Sequence, residues 1–247
     1  MHRKMRVDQL LVERNLLDSR AAARASIEAG LVRVDGHIVG KPSIKVSVDA
    51  DISAEPAHPY VSRGGIKLAH ALDSFEIDPG GFWCVDLGAS TGGFTDVLLQ
   101  RGAAQVVAVD VGHGQLHPRL RSDPRVEALE QTDVRSLSEE DVPPETRLLV
   151  ADLSFISLEK ALPSALTIAP GGCQLVALFK PQFEVGRAAI GKGGIVKDSD
   201  AVSHARMRTE EWLSDVGWPV LSWADSPISG GDGNREYLVC ARKLTSD

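Results

Sequence analysis

Two hydrophobic periods alternate along most of the chain. Trp83–Leu87 is apolar apart from Asp86, as expected for a strand buried on both faces of a parallel sheet. Gly88, Gly92 and Gly93 break that run. Phe94, Val97, Leu98 and Arg101 then fall at helical spacing, and Val106–Val109 is a second apolar strand closed by Asp110. The pattern predicts further strands at Arg125–Leu129, Arg147–Ala151 and Gly172–Phe179. It predicts helices from Ile66 to Phe75, Ser157 to Ile168 and Ser199 to Val216. Val220–Trp223 and Asn234–Ala241, joined by a glycine-rich turn, read as a closing hairpin. The expected fold is α/β, a mostly parallel sheet with an antiparallel last strand. Ahead of it the period is shorter. Val7, Leu10 and Leu11 suggest a short helix, and Arg20–Ala29 a second one with Asp18 and Ser19 as N-cap types. Asp35-Gly36 between Leu31–Val34 and His37–Val39 is a hairpin signal. The chain therefore divides into a small α+β domain at 1–55, a linker at 56–61 and a large α/β domain at 62–247.

Charge changes this picture only when it is read by segment. The 247 residues carry a net −7, which taken globally argues against a polyanionic partner. Residues 1–67, however, hold 11 basic against 8 acidic side chains, and residues 68–247 hold 16 against 26. A basic module on an acidic body is the asymmetry expected when one end grips nucleic acid. No aromatic residue precedes Tyr60, so backbone and shape contacts, rather than base stacking, are expected there. The candidate RNA contacts are Arg3, Arg6, Arg20, Arg24, Lys41 and Arg63. Taken singly, each also reads as a solvated surface charge. The three cysteines lie far apart in apolar runs, pointing to buried thiols in a reducing compartment and to no metal site. The longest uncharged run, Ala161–Phe179, is broken by Pro163, Pro170, Gly171 and Gly172. With a charged segment after Met1, these features suggest a cytoplasmic protein with no membrane anchor, and a monomer.

The glycine turn narrows the ligand. A dinucleotide fingerprint requires G-x-G-x-x-G, but Ser90 stands at the second glycine position and no Gly-Lys-Ser/Thr follows. Asp86, two residues before Gly88, is expected to set a carboxylate at the loop mouth, which suits a ligand bearing positive charge and no phosphate. The alternative is a purely structural turn in some other α/β domain. Asp86-Leu-Gly88-Ala-Ser-Thr-Gly92 resembles the first motif of Rossmann-like methyltransferases, which implies S-adenosylmethionine as cofactor. On that reading the cofactor residues are Asp86, Gly88, Ala89, Ser90, Gly92, Gly93 and Phe94, with Asp110 for the ribose, Asp133 for the adenine amino group, and Phe155.

Four ionisable residues fall at the ends of separate predicted elements: Lys67, Asp152, Lys180 and Glu236. Each alone could be an ordinary strand-end or surface charge, and Glu236 could pair with Arg235 or Lys243. Together they fit methylation of a 2′-hydroxyl, which does not ionise at neutral pH and needs a base. An amine serves only if its pKa falls from about 10.4 towards neutrality, and burial or a second cation pushes it that way. Lys180 is the expected base, oriented by Asp152. Lys67 is expected to lower the pKa of Lys180 and to position the ribose, with Glu236 anchoring either Lys67 or the ribose.

The order Lys-Asp-Lys-Glu resembles the FtsJ-type RNA ribose methyltransferases. Arg6-Val-Asp8-Gln-Leu10-Leu11, Ser19-Arg20, Ala23, Ile27 and Val32-Arg-Val34-Asp35-Gly36 resemble the small RNA-binding domain named after ribosomal protein S-four. Together with VSRGGIKL, DLGASTGGFTD, VDVGHGQL, DLSFISL, LFKPQFE, GGIV and GNREYL, the whole chain resembles the TlyA family of bacterial rRNA 2′-O-methyltransferases, often labelled haemolysins. The resemblance implies transfer of a methyl group to cytidine ribose in rRNA within ribosomal subunits, small, large or both. One departure stands at His58-Pro59-Tyr60-Val61, where actinobacterial members carry Arg-x-Trp-Val. The competing readings are a membrane-active haemolysin and a non-catalytic rRNA-binding or assembly factor. Vesicle leakage would favour the first, and failure to bind S-adenosylmethionine the second.

Overall fold

The parallel strands pair as their apolar runs predict. The computed structural model describes residues 3–245, in two units divided between Arg63 and Gly64. In the first unit, β1 (Lys4–Arg6) leads into α1 (Val7–Glu13) and α2 (Arg20–Glu28). The Ser19 hydroxyl accepts the Ala22 N–H and starts α2. Then come β2 (Val32–Val34), β3 (His37–Ile38), β4 (Lys45–Ser47) and β5 (Ile52–Ala54). β3 and β5 flank β2, while β1 pairs with β4, all antiparallel. The β2–β3 turn places Asp35 at φ +49° and Gly36 at φ +79°, the two positive angles that a type I′ hairpin demands. Val7, Leu11, Ala23, Ile27 and Val32 form its core.

The second unit opens with α3 (Gly64–Ser74), followed by β6 (Trp83–Leu87), α4 (Gly93–Gln100), β7 (Gln105–Asp110), α5 (Pro118–Arg121), β8 (Val126–Glu130) and β9 (Thr146–Ala151). It continues through α6 (Leu158–Ala161), α7 (Pro163–Ile168), β10 (Gln174–Phe179), α8 (Pro181–Glu184), α9 (Ser199–Asp215), β11 (Val220–Asp225) and β12 (Tyr237–Arg242). The sheet order is β11-β12-β10-β9-β6-β7-β8. Strands β6 to β10 are mutually parallel, and β12 runs antiparallel between β10 and β11. This is the expected α/β class with its reversed final strand. From β6 the chain winds outward through β7 and β8, then returns to β9 on the other side. That reversal is the switch point at which open α/β sheets bind ligands.

Three expectations need correcting. The helix expected over 157–168 is two helices, because Pro163 has no N–H to continue the first and starts the second instead. The last strand starts at Tyr237, so Glu236 lies just ahead of it rather than within it. The segment 183–197, whose four glycines and basic residues read as a mobile loop over the site, contains the end of α8 and two 3₁₀ turns. Buried Asn234 pins it: the Asn234 side chain accepts the Val196 N–H and donates to the Gly194 carbonyl, both at 2.9 Å. Among the described residues no helix is long and apolar enough to cross a membrane.

Candidate active site

A cavity of about 710 Å³ opens at the carboxyl ends of β6, β7 and β9, a volume suited to a cofactor-sized ligand. Of the residues expected to hold the cofactor, Gly88, Ser90, Asp110, Asp133 and Phe155 line it, together with Asp152. Gly88 is required by close approach. At its φ of +88°, an added Cβ would stand 2.8 Å from the Asp152 carbonyl oxygen and 2.9 Å from Leu153 Cδ2. The Gly88 and Ala89 N–H groups both donate to the Val109 carbonyl, at 2.9 and 3.0 Å, which ties the turn to β7. Asp110 completes that tie: its carboxylate accepts the Ser90 and Gly112 N–H groups, each at 2.7 Å.

Asp86, Ala89, Gly92, Gly93 and Phe94 do not line the cavity. Ala89, Gly93 and Phe94 are buried. Gly92 faces α5, where a Cβ would collide with Leu120 Cδ1 at 2.3 Å. The expectation of an Asp86 carboxylate at the loop mouth is overturned. Asp86 is fully buried beneath the turn, and its Oδ2 accepts the Thr95 N–H at 2.9 Å and the Thr95 hydroxyl at 2.6 Å. Its Oδ1 has no hydrogen-bond partner among the described residues. Burial pushes its pKa up to about 7, against the pull of the Thr95 donors. Asp133 is the opposite case. The Arg135 guanidinium, at 2.5 Å, and then the Arg135 N–H hold its carboxyl at about 2.

Lys67, Asp152, Lys180 and Glu236 meet along one sheet edge as two ion pairs. Lys67, though in the first turn of a helix, is only 8% exposed and pairs with Glu236, which is 2% exposed. Lys180, also 8% exposed, lies 2.6 Å from Asp152 Oδ1 and donates to the Ser154 hydroxyl at 2.9 Å. The two pairs stand side by side. The β10–β12 register matches Phe179 with Tyr237, so Lys180 and Glu236 are the next residues in line. The glycine-rich turn before β12 passes over the Lys67–Glu236 pair, so that a Cβ on Gly230 would reach Glu236 Oε1 at 2.6 Å.

In the small unit, Arg6 forks onto buried Asp8 at 2.9 and 2.8 Å, and Arg20 adds a contact at 3.1 Å. Arg6 first, then Arg20, hold the Asp8 carboxyl at about 2 against its burial. Arg24 lies 3.7 Å from Glu28. The Arg20 and Arg24 side chains remain 59% and 66% exposed on α2, and Arg3, Lys41 and Arg63 are also exposed.

Four side chains around the candidate site are not among those singled out from the sequence. They are Thr95 under the glycine turn, Ser154 on Lys180, Gln115 in the cavity wall and Asn234 on the 194–196 segment. Ser154 sits between two residues already singled out, and Asn234 lies two before Glu236. Their polarity beside charged positions was the available signal.

Residues 60–243 match the FtsJ-like methyltransferase family, and residues 5–52 match the S4 domain. The chain is 44% identical over 247 residues to the 16S/23S rRNA (cytidine-2'-O)-methyltransferase TlyA of Mycobacterium tuberculosis, covering 99% of this chain and 92% of that protein. A solved structure of a hemolysin-named protein from Streptococcus thermophilus superposes with a TM-score of 0.77 at 40% identity, over 100% of this chain and 90% of the other. The S-adenosylmethionine dependent methyltransferase of Mesorhizobium loti shares the fold alone, with a TM-score of 0.53 at 16% identity over 70% of this chain and 96% of the other. The sheet order, the glycine turn and the full-length match agree, and the chain belongs to the TlyA family of FtsJ-like methyltransferases, with an S4 domain at its amino end.

Proposed function

We propose that this enzyme transfers a methyl group from S-adenosylmethionine to the ribose 2′-hydroxyl of a cytidine in rRNA, in one or both ribosomal subunits, and that it works in the cytoplasm, where ribosomes are. The observation that carries this reading is the pair of buried lysine–carboxylate contacts beside the switch-point cavity.

The cavity wall suits that cofactor. Asp110, Asp133 and Asp152 supply carboxylates around it beside the basic Arg135 and Lys160, a lining that offers acceptors to a ligand rich in hydroxyl and amino donors. Gly88 admits the close backbone approach that such a ligand needs. Asp110 would accept from ribose hydroxyls, Asp133 from the adenine amino group, and Phe155 would supply apolar contact. Bound there, the cofactor supplies an electrophilic methyl group on a sulfonium.

The remaining work belongs to the chain's own residues. Lys180 Nζ, once it has released a proton, takes the 2′-hydroxyl proton as the oxygen attacks. Asp152 and Ser154 hold that nitrogen in place. Lys67 directs the ribose, and Glu236 fixes Lys67 and offsets its charge. Buried positions on a rigid sheet edge allow the alignment from which such transfers draw much of their rate.

Incubation with methyl-labelled S-adenosylmethionine and ribosomal subunits tests the proposal. RNA becomes labelled at a cytidine ribose, and Lys180→Ala lowers kcat by about 10²–10⁴-fold, the usual share of a general base. Cofactor binding, followed by calorimetry, stays within about threefold, because Lys180 does not line that cavity. Turnover retained in Lys180→Ala would discard the lysine base. Label absent from both subunits would discard the substrate.

A further inference from the structure

Glu184 is a half-buried acid that the transfer chemistry above does not use. It closes α8, four residues after Lys180, and its Oε1 accepts the Leu158 N–H at 2.9 Å. Leu158 is the first residue of α6, and Ser157 ahead of it makes no side-chain capping bond. Glu184 therefore supplies, from another element, the acceptor which that helix start lacks. Burial pushes its carboxyl up to about 7, and the Leu158 N–H pulls it back. Two other charged groups face it: Glu159 pushes the same way as burial, and Arg208 opposes. Arg208 also donates to the Glu184 carbonyl at 3.0 Å.

The segment between Asp152 and Leu158 forms one wall of the cavity. The Asp152 N–H bonds the Leu87 carbonyl at 3.1 Å, but from Leu153 to Ser157, among the described residues, no backbone N–H donates within the chain. Phe155, in the middle, sits at φ +67° and is 92% exposed, a conformation that persists only when its surroundings impose it. Three contacts tie this segment to residues 180–184. Lys180 holds Asp152 and Ser154, the Phe183 ring lies 5.4 Å from the Phe155 ring, and Glu184 holds Leu158. Releasing the last contact frees the far end of the segment to relax at Phe155 and to draw Ser154 away from Lys180.

We infer that Glu184 is a positioning residue that sets the 152–158 wall against Lys180 by holding the start of α6. The inference rests on Lys180 being the amine that receives the 2′-hydroxyl proton.

The test compares Glu184→Ala, Glu184→Gln and a core variant, Leu213→Ala, in the full chain, well below their melting temperatures. Leu213 is fully buried on α9, outside those contacts, and controls for lost stability. In Glu184→Ala, kcat falls tenfold or more, while KM for S-adenosylmethionine stays within twofold. Glu184→Gln keeps an acceptor for Leu158 and restores kcat to within threefold. Acylation of Lys180 by an amine reagent, mapped by mass spectrometry with Lys67 as internal reference, speeds up several-fold in Glu184→Ala only. Kinetics and labelling in Glu184→Ala that match Leu213→Ala would reduce Glu184 to a helix cap and overturn the inference. If the native chain methylates neither subunit, the proposed function fails, and the Lys180 labelling still decides the role of Glu184.

Discussion

Asp86 shows how a correct motif can hide a wrong geometry. The spacing Asp86-Leu-Gly88 marks the turn, yet it does not say whether the carboxylate faces the ligand or the core, since alternate strand residues face opposite ways. In the structure it faces inward, onto Thr95. That orientation has a measurable consequence. A buried acid with a pKa of about 7 keeps its proton in the folded chain at pH values where the unfolded chain, near 3.8, has lost it. Its contribution to stability is therefore complete below about 3.8 and is lost as pH rises to about 7. Glu184 acts with the same sign. In Asp86→Asn the side-chain oxygen still accepts from Thr95, and nothing there ionises. Urea unfolding at pH 5 and pH 8 without cofactor should show the native chain losing on the order of 2–4 kcal/mol more than Asp86→Asn, at about 1.4 kcal/mol for each tenfold difference in proton affinity between folded and unfolded chain. Equal losses would mean that Asp86 is already ionised at pH 5.

At the scale of elements, apolar runs told more than boundaries did. Parallel strands buried on both faces announce themselves, and β6, β7, β9 and β10 lie where the runs are. Breaks depend on single backbone atoms. Pro163 splits a helix because it lacks an N–H, and Glu236 falls outside β12 although an apolar run starts immediately after it. The pairing of Lys67 with Glu236 joins residues 169 positions apart; it is expected from the chemistry of the four ionisable residues and not from any local pattern. The 183–197 segment looked mobile from its glycines, but Asn234 holds it from beyond α9. The glycine turn was legible in position but not in cause. Gly88 is small because the exit of β9 touches it. Gly88→Ala should therefore fail twice, through a Cβ against backbone and through a φ of +88° that alanine resists. The expected cost is about 2–3 kcal/mol in denaturant unfolding, with at least a tenfold loss of cofactor affinity by calorimetry. A variant binding the cofactor as the native chain does would show that the β9 exit yields and that the turn is not tightly packed.

For the whole molecule, the informative quantity is where the charge lies rather than its total. The net −7 hides a first unit whose basic side chains outnumber its acidic ones. Pairing does not silence that excess. Arg20 shares Asp8 with Arg6, which already forks onto it, and the Arg24–Glu28 pair is exposed; such pairs stabilise a fold by well under 1 kcal/mol. Both guanidiniums remain free to exchange their carboxylates for phosphates. Replacing both with alanine should thus leave the fold intact, because Arg6 still neutralises Asp8, and should leave cofactor binding in the second unit unchanged. RNA affinity is where the loss belongs. Each phosphate contact contributes about 0.7–0.9 to the slope of log affinity against log salt. The double variant should lower that slope by about 1.5 when binding to ribosomal subunits is titrated between about 50 and 200 mM salt. The affinity gap between the native and variant chains should narrow as salt rises, since fewer counterions are released by the variant. A slope and affinity identical to those of the native chain would move the RNA-gripping surface off this face of α2, and onto the exposed Arg3, Lys41 and Arg63.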